Sequence, residues 1–320
     1  MKSSLLSRIV LLLCALAASA TRADQLLVIQ GAPGESDYAQ RFEKAADQWL
    51  SLAEEASIPA TRIAGSDGEF STKVRIQNWI TKVASRQQET LWIVYLGHGT
   101  FSASGAKLNI AGPDISAEEL RTWLEPIKSQ LVFVHGGSAS APFLSSLSAP
   151  NRVIITATRS GTEQNYARFG ELFVHSLRSQ RSDIDLDGRV SLLEAFVSAS
   201  SAVETFYIEA GRLTSEHALL DDNGDARGTP ANRFQGLRPV SSSGSNETVD
   251  GRLARRLSLL PASGERLLTP DQIEERDALE AQLEILHTRK ANLAETEYYS
   301  NLEEILTELS KLYLDPETDS

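Results

Sequence analysis

Over 320 residues, acidic side chains outnumber basic ones by 43 to 31, and the formal net charge is −12. That balance argues against nucleic acid or an anionic membrane surface as partner, and it suits a cation. With 41% hydrophobic residues, the chain can bury one large α/β domain and carry an appendage.

The first residues read as an export signal. Lys2 and Arg8 precede an apolar run from Ile9 to Ala18, and small residues follow up to Ala23. This is the pattern of a secretory leader over 1–23, too short to span a bilayer, and it implies a periplasmic or secreted protein with no membrane span after cleavage. Cys14 is the single cysteine and would leave with the leader. The mature chain would then have no disulfide and no thiol chemistry. Lys2, Arg8 and Arg22 would leave as well, so 28 basic residues face 43 acidic ones, a net −15.

The next stretch alternates strand and helix patterns. Gln25 to Gln30 is a strand, and Ser36 to Ala53 carries Tyr38, Phe42, Ala45, Trp49 and Leu52 at helical spacing. Ala60 to Ala64 is a short strand, and Thr72 to Ser85 is a helix. Leu91 to Leu96 is an unbroken apolar run, the mark of a strand buried on both faces. Ser116 and Glu119 form a capping box at the head of a helix reaching Ile127. Leu131 to Val134 and Asn151 to Thr156 are further buried strands, and a helix is expected over Glu163 to Ser179. The alternation predicts a three-layer α/β/α domain over 24–225 with a mostly parallel sheet. Residues 226–268, rich in Gly, Ser, Arg and Pro, read as a flexible linker. Residues 269–316 read as a helical hairpin or coiled-coil segment, suited to self-association or to packing on the domain.

Two places carry chemistry. The first is the carboxyl edge of the sheet, where open α/β folds put their sites. There the strand 91–96 ends in Gly97-His98-Gly99, and the strand 131–134 ends in His135-Gly136-Gly137-Ser138-Ala139-Ser140. Parallel neighbours would bring Ser138 or Ser140 towards His98, with Gly97, Gly99, Gly136 and Gly137 as candidate backbone donors for an oxyanion. A buried strand ending in Gly-His-Gly, then a second buried strand ending in acid-Ala-Cys-any-Ser-Gly, is the signature of the legumain and caspase-like cysteine peptidases, which this arrangement resembles. The segments 143–161, 167–177 and 216–225 are also similar to bacterial members. The resemblance covers roughly residues 25–225 and implies a caspase-hemoglobinase-like fold. Aligned without gaps, Ser138 stands where that family has its cysteine, Ala141 replaces the motif glycine, and Gly136 replaces the acid. Shifted by one residue, Gly137 takes the nucleophile position and His135 the acid. Either way a thiol peptidase is excluded. A hydroxyl is far less acidic than a thiol, so the expected outcome is a catalytically degenerate homologue with a protein or peptide ligand. The alternative is a serine hydrolase using Ser138 and His98.

The second place is residues 183–194. Asp183, Asp185 and Asp187 occupy positions one, three and five, and Gly188 occupies six. Arg189 offers a backbone carbonyl at seven, Ser191 stands at nine, and Glu194 at twelve. That is the oxygen-ligand spacing of an EF-hand calcium loop, and it predicts a structural Ca2+. Asp221-Asp222-Asn223-Gly224-Asp225 is a second acidic cluster without the downstream Glu, read as a turn that could lend a ligand. Asp114 and His217 are further candidates for the pocket, with structural roles as the simpler reading.

Overall fold

The computed structural model describes residues 24–65, 69–85, 89–240, 249–261 and 270–313. The expected leader and the Ser-rich stretch 241–248 lie outside the described residues. The chain divides into two compact units, residues 1–260 and 261–320.

In the first unit, the elements are β1 (Gln25–Gln30), α1 (Ser36–Glu55), β2 (Ala60–Ile63), α2 (Thr72–Ala84) and β3 (Thr90–Leu96). Then come β4 (Gly99–Ser102), β5 (Gly105–Leu108), β6 (Ile115–Ser116), α3 (Ala117–Leu124), β7 (Gln130–His135), α4 (Ala141–Leu147) and β8 (Arg152–Thr156). Two longer helices follow, α5 (Phe169–Arg178) and α6 (Leu192–Glu209), then β9 (Leu219–Asp221) and β10 (Thr229–Pro230). The unit closes with β11 (Phe234–Gln235), β12 (Arg238–Pro239) and α7 (Arg252–Arg256).

Seven strands form the main sheet in the order β10-β9-β8-β7-β3-β1-β2. The five from β8 to β2 pair in parallel, and β9 and β10 add an antiparallel edge. β3 lies at the centre, in register with β1 on one side and β7 on the other. Its side chains alternate between two cores. Trp92 and Val94 join Leu26, Val28 and Val132 beneath α1, α5 and α6. Leu91, Ile93 and Tyr95 join Leu27, Ile29 and Phe133 beneath α2, α3 and α4. Burial on both faces explains why these strands read as continuous apolar runs, and it makes the fold the three-layer α/β/α architecture with a mostly parallel sheet. No helix among the described residues is long and apolar enough to cross a membrane.

Two expectations are corrected. The helix expected from Glu163 begins only at Phe169. The buried Glu216 carboxylate takes the N–H groups of Arg168 and Phe169 and fixes the start there, so the cap comes from 47 residues downstream. Nor do the described residues of the expected 226–268 linker, 226–240 and 249–260, behave as a loose linker. Thr229 and Pro230 pair with β9, while Phe234, Leu237, Ala254 and Leu259 are buried in the core with Val190 and Leu193. The boundary between units falls at 260/261 instead. A few well-spaced apolar side chains hold these described residues, too sparse to show a period.

The second unit contains α8 (Pro270–Arg289) and α9 (Glu295–Tyr313), which pack as a helical hairpin. The His287 Nδ1 and the Tyr298 hydroxyl meet at 2.8 Å across its turn.

Candidate functional site

The loops after β1, β3, β7 and β8 converge at the carboxyl edge. Gly31 N–H donates to Leu96 O at 2.8 Å, and Gly136 N–H donates to Tyr95 O at 2.9 Å, so the strand ladder continues into the turns. The Gly-His-Gly turn then passes directly against the turn after β7. A Cβ on Gly137 would lie 1.8 Å from Gly97 O, and one on Gly99 would lie 2.2 Å from Ser138 O. These glycines are present because two backbones touch.

That contact decides what Ser138 does. Its hydroxyl accepts from Gly99 N–H at 3.2 Å and donates to Gly99 O at 3.3 Å, and the residue is only 2% exposed. Ser140 is equally occupied, in a ring of hydrogen bonds with Thr158. His98 faces another way. Its Nε2 lies 3.3 Å from Pro33 O, and its ring meets Tyr38, Phe42 and Tyr166 edge-on. Burial lowers its pKa, so the ring is neutral near pH 7. Its described contacts do not include Ser138. Of the candidate oxyanion donors, Gly99 N–H is taken by Ser138 and Gly137 N–H by His135 Nδ1 at 3.2 Å. A serine hydroxyl without an adjacent base is a weak nucleophile.

The motif residue His135 is fully buried among Tyr95, Phe133 and Phe143. Its Nε2 has no hydrogen-bond partner, and burial pushes its pKa down to about 3. It serves as packing and as an acceptor for the glycine turn. Asp114 is also structural, accepting from Ile110 N–H.

His217, a pocket candidate from the sequence, finds a partner at this edge that the sequence did not mark. His217 Nδ1 meets Glu163 Oε1 at 2.7 Å, and Glu163 also pairs with Arg159 at 3.2 Å. The Glu163 carbonyl accepts from Ala139 N–H, next to Ser138. His217 also lines a cavity of about 350 Å³ with Phe169, Val203 and Glu204. Residues 54 positions apart make the pair, so no spacing rule could announce it. On the other flank, Tyr38 and Tyr166 lead from His98 into a polar cleft of about 410 Å³ that also contains Glu35, Arg41, Arg168 and Arg212.

The 183–194 loop has the expected turn. Leu186 and Gly188 adopt left-handed φ values of 59° and 89°. Asp183, Asp185 and Asp187 each present an oxygen within 4.8 Å of the others. Such a set of hard oxygen donors fits calcium. Two cationic neighbours offset part of the charge, Arg255 at 3.3 Å from Asp185 and Arg189 at 2.9 Å from Asp187. Arg189 N–H is held by Asp187 Oδ1. Ser191 and Glu194 are committed elsewhere: they form a reciprocal capping box at the start of α6. Glu194 Oε1 also accepts from Ile184 and Asp185 N–H. Burial raises the Glu194 pKa. The Ser-x-x-Glu spacing before an apolar run was available in the sequence as a capping signal.

No family model matches the chain, and no curated protein matches it. Among solved structures it is similar to the Drosophila initiator caspase Dronc, with TM-score 0.45, 14% identity, and coverage of 67% of this chain and 85% of that one. It is also similar to caspase-1 from Spodoptera frugiperda, with TM-score 0.41, 10% identity, and coverage of 63% and 87%. A third is drICE, with TM-score 0.42, 9% identity, and coverage of 64% and 90%.

Proposed function

We propose that this chain is an exported, caspase/legumain-like domain that has lost its nucleophile and works as a binding or scaffold module, with calcium bracing the 183–194 loop. The observation that carries the reading is the closure of the Ser138 hydroxyl on Gly99, while His98 is held by Pro33 and an aromatic cage. The absence of cysteine beyond Cys14 supports it from composition. The polar cleft beside His98 is where a protein or peptide ligand would be read. Export rests on the N-terminal pattern, and self-association through 269–316 rests on its helical periodicity.

The test is labelling of the purified chain by a fluorophosphonate probe, with and without calcium, beside Ser138→Ala and His98→Ala. Wild type is expected to label no more than the variants. Labelling that both substitutions abolish would instead make the protein a serine hydrolase.

Calcium binding is measured separately by calorimetry. Asp183, Asp185 and Asp187 would hold the ion, with Arg189 O, Ser191 and Glu194 completing the set after local rearrangement. A lone loop of this kind is expected to bind with Kd on the order of 10⁻⁴ to 10⁻³ M. Asp185→Ala should remove that binding event. An Asp185→Ala isotherm identical to wild type would defeat the assignment.

A further inference from the structure

At the far edge of the sheet, a second loop has the same construction. Asp221, Asn223 and Asp225 occupy its first, third and fifth positions, and Arg227 its seventh. Gly224 and Ala226, at positions four and six, adopt left-handed φ values of 79° and 63°. Leu186 and Gly188 do the same in the 183–189 loop. A left-handed alanine is uncommon and costs energy, so surrounding structure must impose it. In both loops the fifth-position carboxylate holds the seventh-position N–H, from Asp225 to Arg227 at 2.8 Å and from Asp187 to Arg189 at 3.0 Å.

Loop shape alone does not make a site; Asp221 supplies the independent observation. The residue is 1% exposed, its Oδ1 accepts from Gly224 N–H inside the loop, and its Oδ2 is buried with no hydrogen-bond partner. Burial raises the Asp221 pKa, and the nearby Ser148 hydroxyl, which accepts from Ala226 N–H, makes no hydrogen bond to Oδ2. A buried carboxylate oxygen left bare is costly and calls for a cation or a donor.

The neighbourhood is strongly negative. Asp222 and Asp250 are buried beside it, but their oxygens are occupied: Asp222 accepts from Gly251, Leu253 and Ala254, and Asp250 from Asp222, Asn223 and Thr229. Among the described residues, no basic side chain forms an ion pair with any of the three. The oxygens that line the loop are carboxylate, amide and carbonyl, the set a hard cation takes, and Asn223 Oδ1 also accepts from Asp225 N–H at 2.8 Å.

We propose that residues 221–227 bind a second calcium ion through Asp221 Oδ2, the side chains of Asn223 and Asp225, and the Arg227 carbonyl, with the Ser148 hydroxyl as a further donor. The site ties the β9 edge and the Asp222-capped helix α7 to the loop after α4. It is independent of the assignment at 183–194.

The experiment is calorimetric titration of calcium into the decalcified full chain, comparing wild type, Asp225→Ala, Asp185→Ala and the double variant. Asp225 is exposed, and its described hydrogen bond as acceptor is to Arg227 N–H, so its removal leaves the fold intact; near-ultraviolet circular dichroism checks this. Wild type should bind two calcium ions, each single variant one, and the double variant none, with affinity at the altered loop falling tenfold or more. An Asp225→Ala isotherm matching wild type overturns the proposal, whatever Asp185→Ala does. Loss of binding in Asp225→Ala with no change in Asp185→Ala supports this site and defeats the 183–194 assignment.

Discussion

Replacing Gly137 by alanine is expected to cost the first unit roughly 3 kcal/mol or more, a large share of the stability of an ordinary domain. The added methyl would sit 1.8 Å from Gly97 O and 3.0 Å from Gly97 C. Both are backbone atoms at the end of the central strand, so no side chain can swing aside to make room. The turn after β7 would have to lift away from the turn after β3. That would break the Gly99–Ser138 hydrogen bonds and the Gly137–His135 bond together. Urea unfolding monitored by far-ultraviolet circular dichroism gives the size of the loss. Gly34→Ala is the comparison: its φ is left-handed at 72°, but the space around it is open, so its cost should stay near 1 kcal/mol. Equal midpoints for the two variants would mean that the turns do not touch as described.

Acid should weaken the same corner through His135. In the folded chain its imidazole is fully buried among aromatic rings and titrates at about 3, against 6.5 for a solvated histidine. A base whose folded pKa is depressed contributes stability that is complete above the unfolded value. That stability is lost as pH falls from about 6.5 towards 3. By pH 5 the unfolded chain has gained a proton that the folded chain still refuses, a difference of about 2 kcal/mol. Urea midpoints at pH 7.5, 6 and 5 measure it. Wild type should lose about 2 kcal/mol more than His135→Leu over that range, although the variant starts lower because Gly137 N–H has lost its acceptor. Parallel pH profiles would show that the ring is not held neutral in the folded state.

The layer architecture is legible in the residue order alone, since its signals are local. Six apolar residues in a row at Leu91 to Leu96 can only be buried on both faces, and the 3.6-residue period of α1 can only face one core. The capping box at Ser116 and Glu119 was readable for the same reason: its partners are three residues apart. The turn residues Gly97, His98, Gly99, Gly137 and Ser138 were also recognisable as a group meeting at one sheet edge. Where each of those side chains points is set only once the chain has folded. Ser138 closes on Gly99, 39 residues away, and His98 turns to Pro33, 65 residues away. Glu216 starts a helix 47 residues upstream, and Asp250 holds the 221–227 loop from behind. At the end of a strand the backbone leaves the periodic regime, and side-chain direction is set by close contacts between chain segments remote in sequence. No spacing in the sequence encodes those contacts, because each depends on two loops arriving at the same place in the folded chain.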